Sequence, residues 1–376
     1  MIEPPLRIVF LGLSMTSSWG NGHATTYRAL LRELDARGHD VLFLERDLPF
    51  YARHRDLPRP PWGRTVLYQD LDQLRSHAPE IEQADFVIVG SYVPEGIEVA
   101  TWVCDLAPGR VGFYDIDTPV TMERLARGDA DYVSRALIPR FAIYLSFTGG
   151  PILARLEREL GARRARPLLC AVDPARYTPR AVPTCWDLGY LGTYSDDRQA
   201  AVERLLLAPA RSTPTSRFAV AGAQYPTSTL WPPNVTNFEH VPPQDHVDFY
   251  CAQRFTLNVT RAPMVAAGFS PSVRIFEAAA CGTPIITDRW QGIETVLEPE
   301  KEVLVADTTE DVLRTLRDTT DHQRRAIARR ARDRVLAEHT AARRAETLVR
   351  HLLEALQEGS PLAHAPAGLS RWEIAQ

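Results

Sequence analysis

The strongest constraint on the fold is a repeated unit made of an uninterrupted apolar run, a polar loop, an amphipathic helix and a second apolar run. The first copy reads RIVFLGL (7–13), then a glycine-containing loop, then a helix with Tyr27, Leu30, Leu31 and Leu34 on one face that stops at Gly38, then VLFLE (41–45). Runs that are apolar at every position, without alternation, are buried on both faces, as in a parallel sheet covered by helices. DFVIVG (85–90), RVGFYD (110–115) and AIYLSF (142–147) continue the series. A proline-rich, aperiodic stretch, DPARYTPRAVPTCW (173–186), reads as an interdomain connection. A second series follows: LGYLG (188–192), RFAVAG (217–222), RFTLNV (254–259), PIIT (284–287) and EVLVA (302–306), then a long Arg/Ala/Leu-rich helical stretch over roughly 321–356. The pattern predicts an α/β fold of two Rossmann-like, doubly wound domains facing each other across a cleft: 1–180, 181–340, and a C-terminal helix and tail, 341–376, packing back toward the first domain.

With 45% apolar residues in a chain of 376, there is enough material for two cores. The formal net charge of -4 lacks the basic excess of a protein that tracks phosphate backbones, which argues against a nucleic-acid partner. The five cysteines show no CxxC spacing, so neither a zinc site nor a disulfide framework is expected. The first apolar run is too short to span a bilayer and no basic segment precedes it, so the expectation is a cytoplasmic protein without an integral membrane segment.

The most informative segment is FSPSVRIFEAAACGTPIITDRWQGIETVLEPEKEVLVA (269–306). Ser270 or Ser272 can cap a helix with Pro271 in its first turn, and Gly282 and Pro284 end it. The free N–H groups at such a terminus, near Ser272 and Val273, favour an anion such as a diphosphate. Arg274 and Glu277, three apart, share a face, so one helix can offer a guanidinium to phosphate and a carboxylate to a ribose diol.

This segment resembles the donor-binding motif of GT-B glycosyltransferases related to family 4, and particularly the glycosyltransferase-like group named after the spore maturation protein CgeB. The carriers are RIFEAAACGTP, GIETVLEPEKEVLVA and His339-Thr340 with Arg343 and Arg344, and upstream LGYLGTYSDDR and HVPPQDHVDFYCAQRFTLNVTRA. The resemblance implies the GT-B fold and transfer of a sugar from a UDP-, GDP- or dTDP-linked donor to a small-molecule or glycan acceptor, with no other cofactor. It further implies that Glu277 binds the ribose hydroxyls, that backbone at His240 and Val241 holds the base, and that Gly192, Thr193, Tyr194, Arg198 and Arg261 complete the phosphate site. Retaining family 4 enzymes carry an additional glutamate where this chain has Phe269, so the sequence leaves the anomeric outcome open.

In the loop after the first strand, Gly20, Asn21 and Gly22 let backbone approach a ligand closely, and His23 can take an acceptor proton. Asp117 is the second candidate for proton handling. Asp115-Ile-Asp117 resembles a metal-holding DxD, but it falls in the domain opposite the donor motif, so no metal site is expected. Two alternatives remain open on the sequence. One is a degenerate GT-B protein that binds sugar nucleotides without turnover. The other is an NAD-dependent oxidoreductase using Gly20, Gly22 and Glu45, opposed by Thr25 at the third glycine position and by the distance of these glycines from the strand.

Overall fold

The computed structural model describes residues 4–358, so the tail expected to follow Gly359 lies outside the described residues. Two all-parallel sheets form. The first comprises β1 (Arg7–Gly12), β2 (Asp40–Arg46), β3 (Arg64–Tyr68), β4 (Phe86–Gly90), β5 (Val111–Asp115), β6 (Ile143–Ser146) and β7 (Ala165–Pro167), in the order 3-2-1-4-5-6-7. The second comprises β8 (Trp186–Leu191), β9 (Phe218–Ala221), β10 (Val235–Phe238), β11 (Gln253–Asn258), β12 (Ile285–Thr287) and β13 (Leu304–Val305), in the order 10-9-8-11-12-13. Both orders reverse at their centre, β1 beside β4 and β8 beside β11, with Val9 paired to both Leu42 and Val87. A doubly wound sheet opens a crevice at that reversal, beyond the carboxyl ends of its strands.

The central strands are the ones the apolar runs announce, because β1, β4 and β5 are buried at almost every position. The strands not marked by such runs are β3, β7 and β10. β3 and β10 are edge strands whose residues are mostly half-buried or exposed, and burial on one side leaves no continuous apolar signature.

Helix α1 (Gly22–Ala36) follows β1 and buries Tyr27, Leu30, Leu31 and Leu34. Helix α2 (Val273–Ala280) sits in the second domain, and its cap is Ser272, whose side chain accepts from Arg274 N. Pro271 therefore precedes the cap instead of lying in the first turn. Gly282, at φ 71°, closes the helix, with Thr283 N bonded back to Ala278 O.

The helical stretch expected over 321–356 comprises two helices, α3 (Asp321–Glu338) and α4 (Ala341–Glu358), the second starting at 341, where a separate C-terminal helix is expected from the sequence. The chain breaks at His339-Thr340 because the domain connection passes there: Val172 N donates to His339 O at 3.1 Å and Ala341 N to Val172 O at 2.8 Å. After the break, α4 crosses to the first domain and places Ala345, Leu348, Val349 and Leu352 in one core with Tyr27, Leu30 and Leu34. Among the described residues no helix is long and apolar enough to cross a membrane.

Candidate active site

The two crevices face each other and enclose a cleft of about 440 Å³. Its N-terminal wall carries Gly20, Asn21, Gly22, His23, Tyr92 and Asp117, and its C-terminal wall Gly192, Thr193, Arg198, His240, Val241, Arg261, Ser272, Val273, Arg274 and Glu277. Tyr194 and Ser270 are not among the lining residues. Tyr194 turns its hydroxyl to Asp196, and Ser270, fully buried, bonds Thr148 Oγ1 of the first domain at 2.8 Å. Ser270 thus ties the domains together instead of facing a ligand.

On the N-terminal side the loop after β1 is fixed from beneath. Glu45, fully buried, accepts from Ser14 Oγ, Met15 N, Thr16 N and Thr16 Oγ1 at 2.6–3.0 Å. A carboxylate committed to four donors has no free face for a ribose, which removes the oxidoreductase reading. Asp56 accepts from Ser18 N and Oγ and takes both Nη groups of the buried Arg28, all at 2.8–2.9 Å. Burial opposes its charge, but the Arg28 guanidinium and Ser18 win and hold the carboxyl at about 2. Asp56→Asn is therefore expected to destabilise the fold by about 2 kcal/mol at neutral pH, the scale of hydrogen bonds to a charged group. The folded pKa lies below the unfolded value of 3.8, so this contribution is complete above about pH 4 and fades as pH falls toward 2. Melting curves of wild type and variant should accordingly converge on acidification.

His23 is the second residue of α1, and the cap is Asn21, whose side chain accepts from His23 N at 3.0 Å. The imidazole is thereby free of a capping duty. Its Nε2 lies 3.9 Å from Asp117 Oδ2, and its buried Nδ1 has no hydrogen-bond partner. Burial pulls its pKa below 6.5, and Asp117 offsets part of that. Asp115, two residues away, is fully buried, accepts from Tyr144, Thr121 and the Asp117 N–H, and is raised to about 6 by burial despite those bonds. The two acids of the DxD pattern therefore face different surroundings. Among the described residues no group of three or more His, Cys, Asp or Glu is arranged around a common metal position.

On the C-terminal side Glu277 is 4% exposed. Tyr250 donates its hydroxyl to Glu277 Oε2 at 3.1 Å. Burial raises the pKa of Glu277, and hydrogen bonds from Tyr177 and Tyr250 and the charge of Arg274 oppose the rise. His246 continues the network: Nδ1 meets the Tyr177 hydroxyl at 3.2 Å and Nε2 meets Val241 O at 3.1 Å. A carbonyl only accepts, so Nε2 carries the proton and Nδ1 is an acceptor; the single Tyr177 hydroxyl proton is shared between that Nδ1 and the Glu277 carboxylate, serving one of them at a time. Burial holds this imidazole down to about 4, which keeps it neutral and keeps the arrangement intact at neutral pH. Through His246 the ribose-binding candidate Glu277 and the base-binding candidate backbone at Val241 share one support.

The arginines divide. Arg274 bonds Leu191 O, Asn258 Oδ1 and Ser272 Oγ and lies 4.9 Å over the Tyr190 ring, so much of its donor capacity fixes the β8 loop. Arg198 gives Nη2 to Thr193 O at 2.7 Å, while its buried Nε is without a partner. Arg261 holds Asp197 through Nε at 3.0 Å and reaches across the cleft to within 3.9 Å of Asp117.

Phe269 lies in the seam between the domains. It has φ 49°, donates N–H to Gln291 O, and accepts from Gly149 N at 2.9 Å. A Cβ on Gly150 or Gly292 would fall 2.3 Å from its ring, so both glycines are required by this packing. The position at which retaining family 4 enzymes place a carboxylate is thus a hydrophobic joint, outside the residues that line the cleft.

Two facing Rossmann-like domains with a cleft at their paired switch points define the GT-B architecture. Residues 198–350 match the model of a family described as glycosyl transferase-like. No curated protein matches the chain. Among solved structures, sucrose-phosphate synthase from Thermosynechococcus elongatus is similar at 17% identity and a TM-score of 0.70, covering 94% of this chain and 100% of the other. Anabaena HepE, solved with UDP and glucose, is similar at 13% identity and a TM-score of 0.68, covering 93% and 100%. An alpha-glucosyltransferase solved with UDP is similar at 9% identity and a TM-score of 0.70, again covering 93% and 100%. At these identities the shared property is the fold.

The residues that sequence reasoning missed are Tyr92, Tyr177, Tyr250, His246 and Asp56. His246 and Tyr250 lie inside the segment HVPPQDHVDFYCAQRFTLNVTRA that carries the resemblance, which was the available signal; the others sit in no motif, and each of the five acts on a partner at least 25 residues away, except for the contact of His246 with Val241.

Proposed function

We propose that the protein is a nucleotide-sugar-dependent glycosyltransferase that moves a glycosyl group from a nucleoside-diphosphate sugar to an acceptor hydroxyl or amine. The observation that carries this reading is the opposition, across one cleft, of an anion-binding wall and a base. One wall presents the N-terminus of α2 at Ser272 and Val273, with Arg198 and Arg261 beside it; the other presents His23 backed by Asp117. In the reaction the acceptor O–H or N–H proton passes to His23, the acceptor atom bonds to the anomeric carbon, and the bond from that carbon to the diphosphate oxygen breaks. The electron pair leaves with the diphosphate, where the helix terminus and arginines meet the developing charge. We assign that charge stabilisation to these groups and read the transfer as metal-independent.

Attack from the His23 side, opposite the departing diphosphate, inverts the anomeric centre. The Phe269 joint supports that outcome, because the seam offers no carboxylate at the position retaining family 4 enzymes use. Gly192, Thr193, His240 and Val241 fit the diphosphate and the base, and Glu277 fits the ribose diol.

A thermal-shift screen of UDP, GDP, dTDP and their sugars tests the reading. One nucleotide at 100 times its Kd is expected to stabilise the fold by about 2.7 kcal/mol, equally in the presence of EDTA. No shift with any of them would remove the donor assignment. Tight binding without release of free nucleotide would identify a binding protein instead of a transferase.

A further inference from the structure

A row of side chains joins the two walls and is only partly used by the transfer chemistry. Tyr92 follows β4 with φ 64°, a left-handed conformation that costs energy for an aromatic residue and points to a local demand on its side chain. Its hydroxyl donates to Asp117 Oδ2 at 3.0 Å, and its ring meets the His23 imidazole with centroids 5.3 Å apart. The same Oδ2 lies 3.9 Å from His23 Nε2 and 3.9 Å from Arg261 Nη1. Both separations exceed hydrogen-bond length, so the carboxylate is committed to neither group. Arg261 is itself divided, because its Nε bonds Asp197.

We infer that Tyr92 is a positioning residue that holds the Asp117 carboxylate between His23 and Arg261, so that neutralising Arg261 turns the influence of Asp117 onto His23 and makes the imidazole a stronger base. The groups facing Asp117 are His23, Tyr92, Arg261, Tyr132, Cys170 and Asp115, the last bonded to the Asp117 N–H and otherwise occupied by Tyr144 and Thr121. Those facing His23 are Asp117 and Tyr92. Of all these, Arg261 alone belongs to the donor wall. An arriving diphosphate is its counter-ion, a point that rests on the proposed function, and the base would then be strengthened only once a donor is in place.

The test is an NMR titration of the imidazoles in the full chain, with His23 identified by loss of its signal in His23→Asn. Arg261→Gln alone, without nucleotide, is expected to raise the His23 pKa by ~0.5–1 unit, the scale of a nearby charge effect. In an Asp117→Asn background the same change should move it by less than half as much, which separates the route through the carboxylate from the direct loss of a positive charge. Tyr92→Phe keeps the ring, and its folding is checked by melting; in that background the rise caused by Arg261→Gln should also shrink by half or more. UDP added to wild type should reproduce the rise. An undiminished effect of Arg261→Gln in either background would overturn the inference. If UDP leaves the pKa unmoved and calorimetry detects no binding while the variant arms behave as expected, the donor reading fails and this one stands.

Discussion

Replacing His23 by asparagine is expected to lower kcat on the order of 10²–10⁴-fold, the usual contribution of a positioned general base, while donor affinity stays near wild type. The expectation follows from what the ring does not do. Asn21 caps the helix, so the imidazole carries no structural hydrogen bond there, and its Nδ1 is unpartnered. A purely structural histidine in so buried a place would have its nitrogens satisfied. The pH dependence discriminates further. Burial places the imidazole pKa below 6.5, so the neutral, proton-accepting form dominates at neutral pH and the acid limb of kcat/KM lies below 6.5. Asp117 acts to raise that pKa, so Asp117→Asn should move the limb to still lower pH and reduce the rate, because a weaker base accepts the proton less well. An acid limb that does not move in Asp117→Asn would detach Asp117 from the proton path. Donor consumption, including hydrolysis in the absence of an acceptor, is a sufficient readout.

How much of this was legible depends on how local each feature is. β1, β4 and β5 announce themselves because strands buried on both faces need apolar runs, and the repeat of those runs implies doubly wound sheets. Edge strands such as β10, with two exposed residues out of four, leave no such trace. The start of α4 at 341 was legible as the start of a C-terminal helix, whereas the pairing with Val172 that interrupts the chain there, far away in sequence, was not. Glu277 and the α2 terminus were readable since a capped helix running into β12 is one contiguous segment. The surroundings that decide their chemistry were not. Tyr250 and Tyr177 reach Glu277 from another helix and from the connection between domains, and Tyr92 reaches Asp117 from the end of a neighbouring strand. The exchange of a cleft carboxylate for a seam-filling Phe269 could be read as a missing acid, whereas its packing against Gly150 and Gly292 required the three-dimensional arrangement.

Glu277→Ala is expected to weaken donor binding at least tenfold, that is, by about 1.4 kcal/mol or more. The carboxylate is 4% exposed and lines the cleft, and Arg274 is engaged with Leu191, Asn258 and Ser272, so a surface ion pair does not describe it. Its proposed partners are the ribose hydroxyls, each charge-assisted bond contributing about 1.5–3 kcal/mol. The substitution also leaves the Tyr250 hydroxyl without its acceptor, so a loss of stability of about 1–3 kcal/mol should accompany it. Affinity must therefore be measured well below the melting transition. Glu277→Gln retains one acceptor oxygen for Tyr250 and replaces the other by a donor, and should fall between wild type and alanine in both affinity and stability. The decisive comparison is a cycle with a donor lacking a ribose hydroxyl. If Glu277 holds that hydroxyl, removing it should cost wild type more than it costs Glu277→Ala, because the variant has no acceptor left to lose. Calorimetry of the four combinations reads the coupling directly. Equal penalties in the two proteins would mean that the carboxylate supports Tyr250 without touching the ribose, and the donor would then have to be placed elsewhere in the cleft.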